Sequence, residues 1–344
     1  MRLLSTKLAN ISVNRTAFPL RFKAAGYLQR SASLLPQREG KGMELPDKVA
    51  LITGATGFVG RRTVQRLVLE GMHVRGLVRC PVELPELECY IGDITDAATV
   101  APAAVGAHVV VHCAAVLHRA THAEAMRVNV EGTRIVLEAA LQAGCMRFIH
   151  LSTVSAHAVE GYDVVDESTP LRQAGDAYGE SKALAEQVVW AMAARGLQVT
   201  ALRPPAILGV APTAYWSVRM AYRIAAGDLA LPGDGLATLP YVHVDNLIDA
   251  ILLALRSDTA VGQAYNIIDG QTSWRAHTDY FRRWLGVGPL PSLPLDAVPP
   301  NYRWCGRSSG EKAIRELGYI PRVTYGEAMA EAERYLRESG LIKG

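Results

Sequence analysis

Cysteine is sparse in this 344-residue chain, and its few residues form no pattern. Cys80, Cys89, Cys113, Cys145 and Cys305 make an odd number, with no CxxC pair and no metal-ligand spacing. A disulfide framework is excluded, and the five read as buried or incidental thiols in a reducing compartment. The nine histidines contain neither HxH nor HExxH, so no metal is expected. No apolar run is long enough to cross a bilayer, and the longest candidates are short strand-like segments such as 107–111. Internal repeats are absent, and the only biased tract is the proline-rich run 285–300.

A basic body is missing too. Residues 1–43 hold eight Lys/Arg and one acid, which leaves 28 basic against 32 acidic residues in the remainder. A mildly acidic body argues against a nucleic-acid partner, which would want a basic face. Any bound phosphate must then be met by a few placed cations and by backbone N–H groups. The first 43 residues, rich in Arg, Ser and Leu with no acid before Glu39, have the composition of an organellar transit peptide. The competing expectation is a disordered tail, or an upstream start ahead of Met43, on a cytoplasmic protein. Either way the segment is set apart from the fold.

What is present is an alternation. Short apolar strands are expected at 48–53, 73–78, 87–91, 107–111, 146–151 and 198–202, with amphipathic helices at 58–70, 124–143 and 177–195. Gly71, Gly144 and Gly196 stand where those helices should stop. Strands alternating with helices imply an α/β doubly wound parallel sheet, a Rossmann fold, over residues 44–203. Residues 204–344 should form a smaller interleaved C-terminal substrate lobe, richer in Pro, Trp and Tyr, with core elements returning at 241–255 and 263–268.

Two motifs carry chemistry. Gly54, Gly57 and Gly60, with Thr56, Phe58 and Val59 between them, lie between a strand and a helix, the context for a dinucleotide diphosphate on a helix N-terminus. Tyr178 and Lys182 stand four residues apart, on one face of a helix. A tyrosine ionises near pH ~10, and an adjacent ammonium favours its charged form. The second strand ends Leu77-Val78-Arg79 without the carboxylate that would accept from a ribose 2′-hydroxyl, so Arg79 favours NADP, with NAD the alternative. Asp93, followed by Ile94, could accept from the adenine amino group or serve only in capping the next helix.

The motifs TGATGFVG (53–60), GDITD (92–96), HCAA (112–115), NVEGT (129–133), LSTVSA (151–156), YGESKALAE (178–186), RPPAILG (203–209) and YVHVDNL (241–247) occur in order. Together, over residues 48–268, they resemble the extended short-chain dehydrogenases/reductases. This superfamily holds nucleotide-sugar epimerases, 3β-hydroxysteroid dehydrogenases and dihydroflavonol reductases. The resemblance implies that Tyr178 is the general acid or base, and that Lys182 holds the nicotinamide ribose and lowers the Tyr178 pKa. It also implies that Thr153 hydrogen-bonds the substrate oxygen, with Ser152 and Ser155 as neighbouring candidates. Asn129 takes a structural or proton-relay role, Ala114 and Ala115 lie along the cofactor, and Pro204 begins the stretch beside the carboxamide. Dimerisation through the two long helices is a family expectation.

Three functions remain open at this point. Thr153 is followed by Val154-Ser155 rather than an Asp-Glu pair, which disfavours sugar dehydration. Arg203-Pro204-Pro205 resembles the ketone- and steroid-reducing branch. Val116, Leu117 and Trp216, with Tyr215, would give an apolar substrate wall, unless the two aromatics simply fill the lobe core. The leading expectation is an NADP(H)-dependent oxidoreductase interconverting a ketone and a secondary alcohol. The alternatives are a nucleotide-sugar 4-epimerase with tightly bound NAD and a non-catalytic cofactor-binding scaffold.

Overall fold

Short, nearly continuous apolar segments such as Val109–His112, buried at every position, can be satisfied only inside a sheet covered on both faces. In the computed structural model, which describes residues 42–117 and 120–342, the strands of the two larger sheets are β1 (Val49–Thr53), β2 (His73–Val78), β3 (Glu88–Ile91), β4 (Val109–His112), β5 (Arg147–Leu151), β6 (Val199–Arg203), β7 (Ala206–Leu208), β8 (Thr238–His243), β9 (Gln263–Asn266) and β10 (Gly270–Ser273). Seven form one sheet in the order β9-β6-β5-β4-β1-β2-β3, with every pairing parallel. The order reverses between β1 and β4, and that switch point opens a crevice at the strand C-termini.

The helices lie where the apolar spacing places them, with instructive exceptions. Phe58–Leu69 follows the glycine turn and Ala177–Ala193 carries the Tyr/Lys pair. Gly144 and Gly196 adopt φ of +70° and +100°, a region open to glycine, and so end their helices. The long helix expected at 124–143 is composite: His122–Ala125, a π-helical stretch Met126–Glu131, then Gly132–Gln142. A further helix, Ala97–Ala104, has Pro102 inside it and no polar face to advertise it.

The returning elements divide between two layers. Strand β9 joins the main sheet beside β6, and helix Val244–Arg256 packs on Phe58–Leu69. Strand β8, ahead of that helix, belongs instead to a small second sheet, parallel to β7 and antiparallel to β10. This sheet and the helices Trp274–Leu285 and Tyr325–Glu338 enclose a separate apolar cluster around Met220, Trp274, Phe281, Met329 and Leu336. The transit-peptide or tail expectation for the N-terminus concerns residues that, up to 41, lie outside the described ones. Among the described residues no helix is long and apolar enough to cross a membrane.

Candidate active site

The glycine turn is built for an anion. Most long helices here start on a capping side chain: Asp176, His243, Ser273 and Thr324 each accept from a backbone N–H of the first turn. Helix Phe58–Leu69 starts on Gly57, with no side-chain cap and no acid in its first turn. Its orphan N–H groups and its positive dipole end are thus left for a ligand. Gly57, Phe58, Val59 and Gly60 all line one cavity of 310 Å³, which runs on to Tyr178 and Lys182. Gly60 is required by contact: a Cβ there would fall 2.1 Å from the Gly54 carbonyl oxygen. These residues fit a dinucleotide diphosphate. Thr56 is exposed in the turn, and Ala114 packs its backbone beneath Gly54 while Ala115 reaches the cavity wall.

Tyr178 and Thr153 are brought together by the start of helix Ala177–Ala193. The Asp176 carboxylate caps it, accepting from Gly179 N at 3.0 Å, and is pinned by the buried Arg172, whose Nη1 donates at 2.6 Å. Gly179 has no side chain to hold the helix off: a Cβ there would lie 2.7 Å from Ser155 O. The Thr153 hydroxyl hydrogen-bonds the Tyr178 phenol and accepts from Ser155 N at 3.1 Å. The Ser152 hydroxyl donates to buried Glu186, and the Thr153 hydroxyl hydrogen-bonds Tyr178.

The proton affinities differ from the expected direction. Burial pushes the Tyr178 phenol up to about 12, with the Thr153 hydroxyl pulling the other way and the Asp176 charge adding to the rise. The phenol is therefore neutral across the physiological range and is a proton donor. The Lys182 ammonium, expected to lower it, donates to Leu151 O at 2.6 Å. Burial brings Lys182 itself down to about 8, against the opposing pull of Glu186 and Cys113. Glu186, one turn further, accepts Arg203 Nε at 2.9 Å and Nη2 at 2.7 Å, an ion pair wholly inside the protein.

Asn129 acts behind the site. Its Oδ1 accepts from Val116 N at 2.9 Å, and its Nδ2 donates to Val116 O at 3.1 Å and to Ser181 Oγ at 2.9 Å. The π-helical turn carries it to this position, where it ties the loop after β4 to the Tyr178 helix. Buried His112 braces the same region. Thr133 donates its hydroxyl proton to Asn129 O, so His112 Nε2–H donates to Thr133 at 3.0 Å and Nδ1 accepts from Thr53 at 2.7 Å.

At the other end of the crevice, Arg75 is committed to Glu88, with Nε 3.0 Å from Oε2, and to the face of Tyr90. Arg79 is exposed just beyond β2. The Asp93 carboxyl is held below the usual range, first by the Thr95 backbone N–H and then by its hydroxyl, with Arg127 and Arg79 adding to this. Asp93 thus shapes its own turn, with Oδ1 2.9 Å from Thr95 N, and Asp96 is the residue that caps the next helix. Ile94 is buried against Gly132.

The same cavity is lined by Leu117, Pro204, Tyr215 and Trp216, and by Trp274, Tyr302 and Trp304, which the sequence did not single out. Val116 is held by Asn129 rather than facing the cavity. Trp216 packs edge-to-face on Trp274 at 5.3 Å, and Trp274 on Tyr302 at 5.4 Å. The excess of Trp and Tyr in the lobe was the only available signal for the last three. Among the described residues the lining carries one charged side chain, Lys182.

The model of the NAD dependent epimerase/dehydratase family matches residues 50–267. The chain belongs to that family. As an extended short-chain dehydrogenase/reductase it is an NAD(P)-dependent oxidoreductase acting on CH–OH groups. It is 34% identical over 334 residues to a 3-beta-hydroxysteroid dehydrogenase of Mycolicibacterium neoaurum, covering 83% of this chain and 90% of that one. A 4-hydroxy-2-methyl-3-oxo-4-farnesyl-3,4-dihydroquinoline-1-oxide ketoreductase of Stigmatella aurantiaca is 30% identical over 315 residues, covering 81% and 93% of the two chains. Among solved structures of the family, the dTDP-glucose 4,6-dehydratase of Streptomyces venezuelae, with NAD bound, superposes at a TM-score of 0.73 and 28% identity, over 84% of this chain and 97% of its own.

Proposed function

We propose that the protein is an NADP(H)-dependent reductase of an apolar ketone, or in reverse a dehydrogenase of the secondary alcohol, with Tyr178 as proton donor and acceptor. The observation that carries this reading is the substrate wall. It is made of Tyr215, Trp216, Trp274, Tyr302 and Leu239, and Lys182 is the only charged side chain lining the cavity among the described residues. A diphosphate sugar calls for charge-assisted donors, whereas a flat apolar skeleton calls for aromatic faces. The steroid and ketoreductase relatives support the same choice.

A nicotinamide cofactor, when bound, supplies or takes the hydride. The chain's own residues handle the oxygen. The Thr153 hydroxyl and the neutral Tyr178 phenol form one hydrogen-bonding pair on which a carbonyl oxygen would rest, and Tyr178 gives it the proton as negative charge develops. Lys182 keeps a cation behind that pair. Arg79, exposed where the ribose 2′-substituent of a bound dinucleotide would lie, supports NADP over NAD.

The test uses the purified full chain, titrated with NADPH and NADH and then assayed on apolar ketones and UDP-sugars side by side. NADPH should bind more tightly and support ketone reduction, and Tyr178→Phe should lower turnover by ~10²–10⁴ while cofactor affinity is kept. Undiminished turnover in that variant sinks the role of Tyr178. Stoichiometric retained NAD with UDP-sugar interconversion would establish the epimerase instead.

A further inference from the structure

We propose that Glu186 is a positioning residue of the active site, whose buried carboxylate supplies the counter-charge that keeps the Lys182 side chain a cation. The role rests on the ketone-reductase reading only for the reaction in which it is assayed.

Tyr178, Lys182 and Glu186 stand four residues apart in helix Ala177–Ala193, so they form a row along one face. Each is tied to a different residue where β5 ends. Tyr178 meets the Thr153 hydroxyl, Lys182 Nζ donates to Leu151 O at 2.6 Å, and Glu186 accepts from the Ser152 hydroxyl. Glu186 is wholly buried, and its two oxygens also take Arg203 Nε at 2.9 Å and Nη2 at 2.7 Å. A carboxylate tied on both oxygens by charge-assisted bonds is fixed in place.

A buried ammonium needs a partner of opposite sign. The titratable groups around Lys182 come from several elements. His112 of β4, Cys113 after it and His150 of β5 all feel the Lys182 charge. Arg203 of β6 acts on His150 and on His157, while Tyr178 and Glu186 share the helix of Lys182. Burial pushes His112 down to about 3, His150 well below the ordinary range and His157 downward as well, so the three rings are neutral. The Cys113 thiol and the Tyr178 phenol are each pushed up to about 12 by burial and are neutral too. His150 stacks on His112 at 5.7 Å, with neither ring nitrogen hydrogen-bonded among the described residues. Within this set Arg203 is a second cation and Glu186 is the negative group. Burial brings Lys182 down to about 8, and the Glu186 charge is the first of the pulls against that fall; Cys113 adds to it once its thiol ionises. Without the carboxylate, two cations would face the uncharged His150 ring unbalanced.

The experiment reads the Lys182 ammonium itself, with no cofactor and no turnover. The full chain, which has seven lysines, is labelled at the lysine ε-carbons and titrated by NMR, and Lys182→Arg identifies the resonance. The wild type should titrate near 8. Glu186→Gln should lower that midpoint by about one unit or more, about tenfold in proton affinity, and Glu186→Asp, which keeps the charge, should restore it to within about half a unit. A merely structural role moves the midpoint the other way, because a loosened site admits water and returns a lysine towards its ordinary range. Glu186→Gln leaves the Arg203 guanidinium unpaired, so Glu186→Gln/Arg203→Met is made as well, since uncharged side chains can replace a buried ion pair. It too should titrate below the wild type, and near-UV circular dichroism reports that each variant is folded. A midpoint unchanged or raised in either folded variant would overturn the proposal. Ketone reduction is followed against pH in parallel, and the alkaline limb of kcat/KM should move down with the midpoint. A lowered midpoint without any reduction defeats the reductase reading alone, and reduction with an unmoved midpoint defeats the role of Glu186 alone.

Discussion

Lys182 shows how a single residue takes its chemistry from its surroundings. A lysine is an ordinary solvated cation until burial brings its pKa down to about 8, where a small rise in pH removes the charge. Tyr178, pushed up to about 12, stays protonated over the same interval. The signs therefore separate: below about pH 8 both donor and cation are in place, and above it the cation goes first. Reduction measured as kcat/KM should be flat below pH 8 and fall above it, and Lys182→Arg should remove that limb. A limb beginning near 10 would mean that Tyr178, not Lys182, titrates in the working range. The Tyr/Lys pair was legible because an i,i+4 spacing is local. Thr153 was named through the resemblance, but the contact that occupies Ser152, its hydrogen bond to Glu186 across 34 residues of chain, was not legible.

At the scale of elements, the strand–turn–helix around Gly54 is the most legible piece, because Gly57 and Gly60 answer contacts with Gly54 itself and Gly54 takes a positive φ of +68°. Gly60→Ala should cost at least ~3 kcal/mol, because the added Cβ meets the backbone oxygen of Gly54 and neither can yield. Exposed Gly326, in helix Tyr325–Glu338 with nothing near its Cβ position, provides the control: Gly326→Ala should be neutral or gain ~0.5–1 kcal/mol. Urea denaturation of the two variants checks both, and equal midpoints would refute the close-contact argument. The π-helical turn at Met126–Glu131 left no trace in the apolar periodicity, which reads an extra residue per turn as noise. Helix Ala97–Ala104 was hidden by Pro102 and by a run of small residues that gives no stripe.

Across the whole molecule, the lobe is fastened to the core by charge as well as by apolar packing. Asp249, on helix Val244–Arg256, accepts Arg322 Nε at 2.7 Å and faces Arg66 Nη1 of the glycine-turn helix at 3.7 Å. Burial raises its carboxyl pKa, with Arg322 and then Arg66 opposing the rise. Asp249→Ala leaves two guanidinium groups without their shared partner. It should lower stability by about 2 kcal/mol, the part-exposed Arg322 softening the loss. An unfolding midpoint unchanged within error would show that apolar packing alone holds the two layers together.

The strand segments, the glycine turn, the Tyr/Lys pair and the stop glycines follow from residues close together in the chain, where periodicity and spacing carry the information. The neutral state of Tyr178 and the lowered affinity of Lys182 for its proton follow from burial, which is a property of everything packed around them. The wall of Trp216, Trp274 and Tyr302 is set by folding the lobe back over the sheet, which brings residues 216, 274 and 302 into edge-to-face contact. Distances of that kind are not written in any local spacing, so the motifs could be read from the chain, whereas the shape of the cavity wall required the fold.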